Sequence, residues 1–466
     1  MSLRKIYTIL FALGVFFIPF NEFEGMSFLG EYSDESATYF FLIGFVFVII
    51  ESGIKGKFSF PYRNSLSILL ICFILWTVLS ALINFETIST SYFKHTSGIS
   101  RYIRQSISML ISAVIFTILF WNVIKNYSVM NIFLFIRKIF LFSFIFVSVY
   151  GFIEIAIVFF GMSFLIPVLE SFDIFPFVNT SLSIGRRLGI SSITFEIPAL
   201  GTYLLTILPW MVSYIFTEKK VYKYIPLGVI LVLLFFSDSR SALIIISVQL
   251  LVLLFLFIYD IRFRAGTIRI LKYGVVLIFL LTLFKSEQII NTFYEKTDRI
   301  NFSKNLTKNV SNKSRFGMQY AAIQVFKENP ITGVGIGQLT YHSRDHYPYW
   351  ATVNNYEYDL FYKNQNLKSF PPIYNFHIRV IAELGLIGII IWLSLLFLTI
   401  YYSLLYWKFS SNQYRFIGVI LLLSFIGLSI NWLQVDHFKQ YGFWLCLILL
   451  IKCRLDFRKD ISNQIK

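Results

Sequence analysis

Residues 223–259 read KYIPLGVILVLLFFSDSRSALIIISVQLLVLLFLFIY, two apolar runs joined by a short polar turn. Each run approaches the roughly 20 mostly apolar residues that a helix needs to cross a bilayer. Such runs recur along the chain of 466 residues, of which 57% are hydrophobic and only 14% charged. Soluble proteins carry about 25% charged residues. The sequence therefore predicts an all-α polytopic membrane protein.

The further apolar runs of the chain bring the predicted total to about twelve transmembrane helices. Unpaired backbone groups are too costly in hydrocarbon, so each run is expected to be helical. Four regions follow from this division: an N-terminal bundle of about nine spans (1–284), a large outer loop (285–375), the C-terminal spans (376–452) and a basic tail (453–466). The predicted spans lie near 6–20, 37–54, 64–84, 104–123, 138–160, 197–216, 223–237, 240–259, 269–284, 376–402, 413–432 and 438–452.

The basic residues predict the orientation of the chain. Lys and Arg are enriched in short cytoplasmic loops. They follow every second span here, as at Lys55, Lys57 and Lys125, and they recur in the tail, whereas loop 21–36 contains five acidic residues and no basic one. Both termini are therefore predicted to be cytoplasmic. The excess of 41 Lys+Arg over 25 Asp+Glu is explained by these loops, which excludes a nucleic-acid binder. Three cysteines are too few for a disulfide framework.

The large loop 285–375 is the one long polar segment. It contains the run NFSKNLTKNVSNKS (301–314), whose composition is typical of a mobile segment. The next stretch, RFGMQYAAIQVFKEN, predicts an amphipathic helix with Ser314 as its N-cap and Pro330 as its stop. The remainder, including GVGIG and the Tyr-rich 341–362, is predicted to be loop or short helix. Helical spacing puts four large side chains on one face of the predicted helix: Phe316, Tyr320, Ile323 and Phe326.

Arginines on the predicted outer side are unexpected, because the positive-inside bias depletes them there. Arg240 stands in the short turn SDSRSA, so its guanidinium must lie near the membrane boundary. One interpretation is that Arg240 binds a phosphate, because the planar guanidinium of Arg matches the geometry of phosphate oxygens. The alternative is an ion pair with Asp238, or contact with lipid headgroups. The full outer set is Arg101, Arg104, Arg186, Arg187, Arg240, Arg299, Arg315 and Arg344.

Two further candidates stand where helices are predicted to begin. Glu196 precedes Pro198 at the entry of a span, where a carboxylate either acts in catalysis or favours the positive end of the helix dipole. Arg315 opens the predicted loop helix, where it either binds a ligand or is a solvated surface charge.

The span after the large loop begins YNFHIRVIAELGLIGII (374–390). His377 could act as an acid or base near neutral pH, or form an ordinary hydrogen bond at the membrane interface. Glu383 is expected to pair with Arg379, four residues earlier. His342 and His346 have a spacing that suits a metal, but no third ligand is evident. No metal and no cofactor is predicted.

Three patches of this sequence are similar to the O-antigen ligase/polymerase superfamily, which includes the Wzy-type O-antigen polymerases. They are SDSRSALIII, SRFGMQYAAIQVFKENPITGVGIG and NFHIRVIAELGLIGII. The resemblance also covers the topology: about twelve spans, cytoplasmic ends and one large late periplasmic loop. It implies a GT-C-like fold in a bacterial inner (cytoplasmic) membrane, with an active site that faces the periplasm.

Carried over by position, the resemblance implies Arg240 and Arg315 as catalytic arginines that hold a lipid diphosphate. RRLGISSITFEIPALG, similar to a polymerase stretch, adds Arg186 and Arg187 as substrate-binding residues and Glu196 as a catalytic candidate. The family's His-Asn pair corresponds here to Tyr374 and Asn375, which are expected to bind substrate. His377 lies one helical turn further on and would be the substitute catalytic histidine.

The function implied is that of a metal-independent glycosyltransferase. Its donor and acceptor would both be undecaprenyl-diphosphate-linked oligosaccharides, so that O-antigen or a related surface polysaccharide grows blockwise. Membrane lipids and a chain-length regulator would be further partners. One rival is an O-antigen ligase that transfers finished polymer to lipid A-core or another acceptor. A rival of another class is a flippase or transporter of lipid-linked oligosaccharides, although transporters place their sites near the membrane midplane.

Overall fold

The fold was analysed in a computed structural model, which describes residues 2–175, 178–180, 182, 184, 189–260, 264, 310–367, 369–410 and 414–465. Long helices dominate this part of the chain. They are α1 (Leu3–Phe16), α2 (Ser36–Lys55), α3 (Ser65–Ile83), α4 (Gly98–Ile124, with a π-helical turn at Ile111–Phe116), α5 (Val129–Val158), α6 (Ile197–Thr217), α7 (Ile225–Ser237), α8 (Arg240–Tyr259), α9 (Val310–Glu328), α10 (Phe376–Phe409), α11 (Arg415–Asn431) and α12 (Tyr441–Ile465).

Short elements connect the long helices. Two short strands, β1 (Tyr92–Phe93) and β2 (Thr96–Ser97), pair in an antiparallel hairpin before α4. The short helices are Ser27–Tyr32, Phe85–Thr90, Ser163–Leu165, Ile166–Glu170, Ser171–Ile174, Val221–Tyr224, Leu339–Ser343, Arg344–His346, Tyr349–Thr352, Tyr356–Tyr358 and Asp359–Lys363.

The helices confirm the predicted all-α polytopic class. Seven of them are long and apolar enough to cross a membrane, and two shorter apolar helices accompany these in the described part of the chain. Every predicted span coincides with a described helix except 269–284, which lies outside the described residues. All three cysteines are free.

Polar side chains join helices inside the bundle. The Gln249 amide nitrogen on α8 donates to the backbone carbonyls of Leu205 on α6 and Leu423 on α11, at 3.1 and 3.0 Å. Such interhelical hydrogen bonds are effective in a membrane, because helices there gain nothing from apolar burial against each other.

The loop helix α9 differs from its prediction at two points. It includes Val310–Ser314, so the end of the run 301–314 is helical and Ser314 is not the N-cap; the earlier residues 301–309 lie outside the described part. Ser314 is instead buried and donates to the Asn355 amide oxygen at 3.1 Å. A side chain in a helix interior is free to bond to a neighbouring segment, which the sequence pattern could not reveal.

The packed face of α9 is not the face that carries the four large side chains. Tyr320 and Ile323 are 46% and 39% exposed. Small residues form the packed face, because they let α9 approach α10 and the segment 347–351 closely. The buried residues are Asn312, Ser314, Gly317, Met318, Ala321, Ala322 and Val325.

The glycine turn after α9 interlocks with a kink in α10. Gly385 has a φ of 67° within α10, which interrupts the helix. The Val334 and Gly335 amides donate to the carbonyls of Ala382 and Glu383, at 3.3 and 2.8 Å. The Trp76 indole on α3 donates to the Leu384 carbonyl at 2.8 Å. These donors replace the hydrogen bonds that a kink removes from a helix, and they tie the large loop to the bundle.

Candidate active site

A cavity of about 240 Å³ opens at the end of the bundle that bears the large loop. Its wall combines the end of α1, the start of α2, the first three turns of α6 and the segment before α12. We call this space the rim cavity. Its lining residues are Ile18, Pro19, Asn21, Glu35, Thr194, Phe195, Glu196, Pro198, Ala199, Thr202, Tyr203, Thr206, Val435, His437, Lys439, Gln440, Tyr441 and Gly442.

Glu196 lines this cavity at the start of α6. The segment before it is fixed, because the Glu154 carboxylate accepts the Ser191 and Ser192 amides at 3.2 and 2.7 Å. The Glu196 side chain forms no hydrogen bond that caps α6, so its carboxylate is not used in capping. Burial raises the pKa of Glu196 above its ordinary range, and the positive charges of Lys439 and Arg315 act against that rise.

Arg315 lies in α9, where an aromatic ring contacts its guanidinium. Its guanidinium carbon lies 4.7 Å from the centroid of the Tyr374 ring, a cation–π arrangement. The backbone next to it is held, because the Tyr347 hydroxyl donates to the Ser314 carbonyl at 3.3 Å. Arg315 forms no ion pair with any described residue, and its buried Nε has no hydrogen-bond partner. This geometry leaves a positioned guanidinium able to bind an anion.

Tyr374 belongs to the same cluster of charges. Burial raises its pKa to about 12, with Glu357 acting in the same direction and Arg315 in the opposite one. The phenol therefore remains neutral at physiological pH. The neighbouring Ile373 amide donates to the Asp436 carboxylate, which joins the end of the large loop to the segment before α12.

The segment before α12 contributes residues that the sequence reasoning missed. Lys439 Nζ lies 2.7 Å from Glu35 Oε1 across the rim cavity. His437 has a buried Nδ1 without a hydrogen-bond partner in the part of the chain that the structure describes. Burial lowers the pKa of His437, and Lys439 and Arg379 act in the same direction, so this imidazole is neutral. The available signal was QVDHFKQYG, three ionisable side chains in a short outer loop.

Arg240 is the first residue of α8 and is exposed. The preceding turn packs on α6: a Cβ added to Gly201 would lie 2.9 Å from Ser239 Oγ. Gly201 stands five positions after Glu196 on the same helix. The start of α6 is thus in contact with the turn that carries Arg240 and in electrostatic contact with Arg315 through Glu196.

The remaining predicted site residues have different surroundings. Asn375 caps α10, with its side-chain oxygen accepting the Ile378 amide at 3.1 Å. His377 Nε2 donates to the Ser429 carbonyl at 3.2 Å, and His377 is not part of the rim cavity wall. Arg186 and Arg187 lie outside the described residues, as does Arg299. Glu383 pairs with Arg379 at 3.1 Å, as predicted.

Arg379 is the centre of a buried network below the rim. Its guanidinium also reaches Glu31 at 3.3 Å, the Gln105 amide oxygen and the Asp436 carbonyl. Every branch of this arginine is therefore engaged by protein groups. These contacts join α10 to the first half of α4 and to the outer loops that contain Glu31 and Asp436.

Among the described residues, no group of three or more His, Cys, Asp or Glu side chains is arranged to hold a metal ion. His346, one member of the histidine pair, instead lies 3.2 Å from Glu328.

These features define a class: a polytopic helical membrane protein with charged side chains gathered where a large loop meets the bundle. Residues 225–393 match the family model Wzy_C, described as O-antigen ligase. The match supports the O-antigen ligase/polymerase superfamily and confirms the resemblance seen in the sequence. Members of this family transfer glycosyl groups. The matched stretch includes Arg240, Arg315, Tyr374 and His377. No curated protein matches the chain.

Proposed function

We propose that the chain is an inner-membrane glycosyltransferase that polymerises undecaprenyl-diphosphate-linked repeat units on the periplasmic side. The observation that carries this proposal is Arg315, which lies over the Tyr374 ring, interacts electrostatically with Glu196, and has a buried Nε without a hydrogen-bond partner among the described residues. A lipid diphosphate supplies the acceptor oxygens that such a guanidinium lacks.

The reaction would proceed as follows. An acceptor hydroxyl attacks the anomeric carbon of the donor, a new glycosidic C–O bond forms, and the bond to the diphosphate breaks. Undecaprenyl diphosphate leaves with both bonding electrons, and the hydroxyl proton passes to a base. Arg315 and Arg240 would stabilise the charge that develops on the diphosphate. A preorganised donor of this kind contributes about 3–4 kcal/mol to catalysis.

Glu196 is the base that the geometry favours. It lines the rim cavity, its side chain is not engaged in capping, and it faces the positive charge of Arg315. His377 is a second candidate, because its Nε2 donates to the Ser429 carbonyl and its Nδ1 has no hydrogen-bond partner among the described residues. His437, neutral and lining the same cavity, would accept a hydrogen bond from an acceptor sugar. Arg186 and Arg187 keep their proposed role in binding substrate.

An apolar groove beside the rim cavity suits a polyprenyl chain. Its volume is about 470 Å³, and α1 and α5 form its walls. It ends near Phe16, two residues before Ile18 of the rim cavity. Its lining residues are Thr8, Ile9, Ala12, Leu13, Phe16, Phe135, Ile139, Phe142 and Phe146.

A ligase that moves finished polymer to lipid A-core is the second candidate, favoured by the description of the matching family model. A deletion strain separates the two. Loss of a polymerase leaves lipopolysaccharide with a single repeat, whereas loss of a ligase leaves long lipid-linked chains and a bare core.

Arg315→Lys and Arg240→Lys test the site in the complemented deletion strain. Lysine keeps the charge but loses the planar fork, so we expect long chains to disappear while the protein remains in the membrane. Arg344→Lys is the matched control, because Arg344 is an arginine of the same loop that lies 3.6 Å from Asp345 and over the ring of Phe93. Normal chain length in both site variants would remove the assignment.

A further inference from the structure

A second polar cavity lies at the opposite end of the bundle. Its volume is about 180 Å³, and it opens between the start of α1, the end of α2 and the end of α4. We call it the basic cavity. Its lining residues are Arg4, Tyr7, Glu51, Ser52, Lys55, Lys57, Asn122, Lys125 and Asn126. Four of these side chains are cationic, and Glu51 is the one carboxylate among them.

The charges of the basic cavity are not balanced by its own residues. Lys55 uses Glu51, with Nζ and Oε1 2.6 Å apart. Arg4, Lys57 and Lys125 form no ion pair in the part of the chain that the structure describes. Lys125 Nζ donates to the neutral amide oxygen of Asn122 at 2.6 Å. Three cations therefore share one recess without an ion pair to any described residue.

Lys125 forms the inner wall of this recess. Burial lowers its pKa; Glu51 opposes this effect, while Lys55 and Arg4 add to it. Its backbone carbonyl accepts from Lys452 on α12 at 3.3 Å, so a further basic residue approaches the same point. The helix macrodipole and the positive-inside bias partly explain why several cations lie at this end of the bundle. Neither effect requires a recess that gathers cations from three separate helices.

We propose that the basic cavity binds a phosphate group, either the headgroup of an anionic lipid or free phosphate. Phosphate has oxygens on several sides, which suits cations that converge from α1, α2 and α4. Basic pockets between transmembrane helices on the cytoplasmic side are known to hold anionic headgroups. The predicted orientation of the chain puts this end at the cytoplasmic leaflet. The site is independent of glycosyl transfer, which is proposed at the other end of the bundle.

The test compares two variants of the purified full-length protein, each with three cations removed. The site variant is Arg4→Gln/Lys57→Gln/Lys125→Gln. The control variant is Lys219→Gln/Lys220→Gln/Lys223→Gln, which removes the same charge from the loop before α7. Binding of cardiolipin, of neutral phosphatidylcholine and of inorganic phosphate is measured by native mass spectrometry and by the shift of the unfolding midpoint.

We expect cardiolipin to raise the unfolding midpoint of the wild-type protein and of the control variant. The site variant should bind cardiolipin at least about tenfold more weakly. If the site variant also loses affinity for inorganic phosphate, free phosphate is a sufficient ligand of the basic cavity. If it loses affinity for cardiolipin alone, the ligand is the lipid headgroup. Equal binding by the site and control variants overturns the proposal. The unliganded unfolding midpoint in phosphatidylcholine shows whether each variant is folded.

Discussion

The Arg315 guanidinium lies over the ring of Tyr374, 4.7 Å from its centroid. The two residues come from different parts of the large loop, α9 and the entry to α10. A stacked arginine keeps a defined orientation, whereas a long unsupported side chain must lose rotamer freedom when it binds a ligand. The ring therefore orients the guanidinium for the diphosphate.

This relationship predicts different effects for two substitutions of Tyr374. Tyr374→Phe keeps the aromatic face and should leave the polymerisation rate within about twofold. Tyr374→Ala removes the face, which is worth about 0.5–2 kcal/mol, so we expect a loss of about 2- to 30-fold in kcat/KM. The measurement is the rate of chain extension from lipid-linked repeat units. Equal rates for the Phe and Ala variants would show that the ring does not orient Arg315.

Glu196 predicts a pH dependence of the same rate. Burial raises its pKa, and only the ionised carboxylate accepts the proton of the acceptor. Activity should therefore rise with pH through a pKa above the ordinary carboxyl value of about 4.3. Glu196→Gln should lower the rate by about 10²–10⁴-fold and remove this limb of the profile. A Gln variant with an unchanged rate and profile would exclude Glu196 as the base.

The interlock between the glycine turn and α10 predicts a position-specific effect of alanine. Gly385→Ala adds a Cβ where φ is 67° and where the Ile331 carbonyl already lies. The left-handed backbone alone costs about 1–2 kcal/mol, so the unfolding midpoint should fall. Gly228→Ala on α7 is the control, because nothing lies within 4 Å of its added Cβ. Equal midpoints for the two variants would contradict the interlock.

The buried network of Arg379 predicts a large loss of stability. Arg379→Met leaves Glu383 and Glu31 without their partner, which should lower the free energy of unfolding by about 3–5 kcal/mol. The control is Lys363→Met, which breaks the exposed pair with Asp359 and should change little. Thermal unfolding of both purified variants measures the difference. A small effect of Arg379→Met would mean that the network does not hold α10 to the outer loops.

The sequence was sufficient to predict the helices but not the contacts between them. Long apolar runs predict spans because hydrocarbon demands internal hydrogen bonds, and the spacing of four residues predicts the Arg379–Glu383 pair. The packed face of α9 could not be predicted because most of its members are small, such as Gly317 and Ala321. Small residues leave little periodic signal, although they permit the closest helix packing.

The candidate site could likewise be predicted only in part from the sequence. Arg315 was predicted because the stretch that contains it resembles a known family. Glu196 was predicted because a carboxylate just before Pro198 is unusual at the entry of a span. Lys439 and Glu35 are separated by about 400 positions, and no spacing rule connects residues so far apart. His437 gains its interest only from the cavity that it lines, which depends on how four segments pack.

The role of the two arginines is measured most directly by the affinity of the purified protein for undecaprenyl diphosphate without any glycan. We expect Arg315→Lys and Arg240→Lys each to weaken this affinity by about tenfold or more, and Arg344→Lys to bind as the wild type does. Wild-type affinity in both site variants would contradict the proposal that these arginines hold the lipid diphosphate.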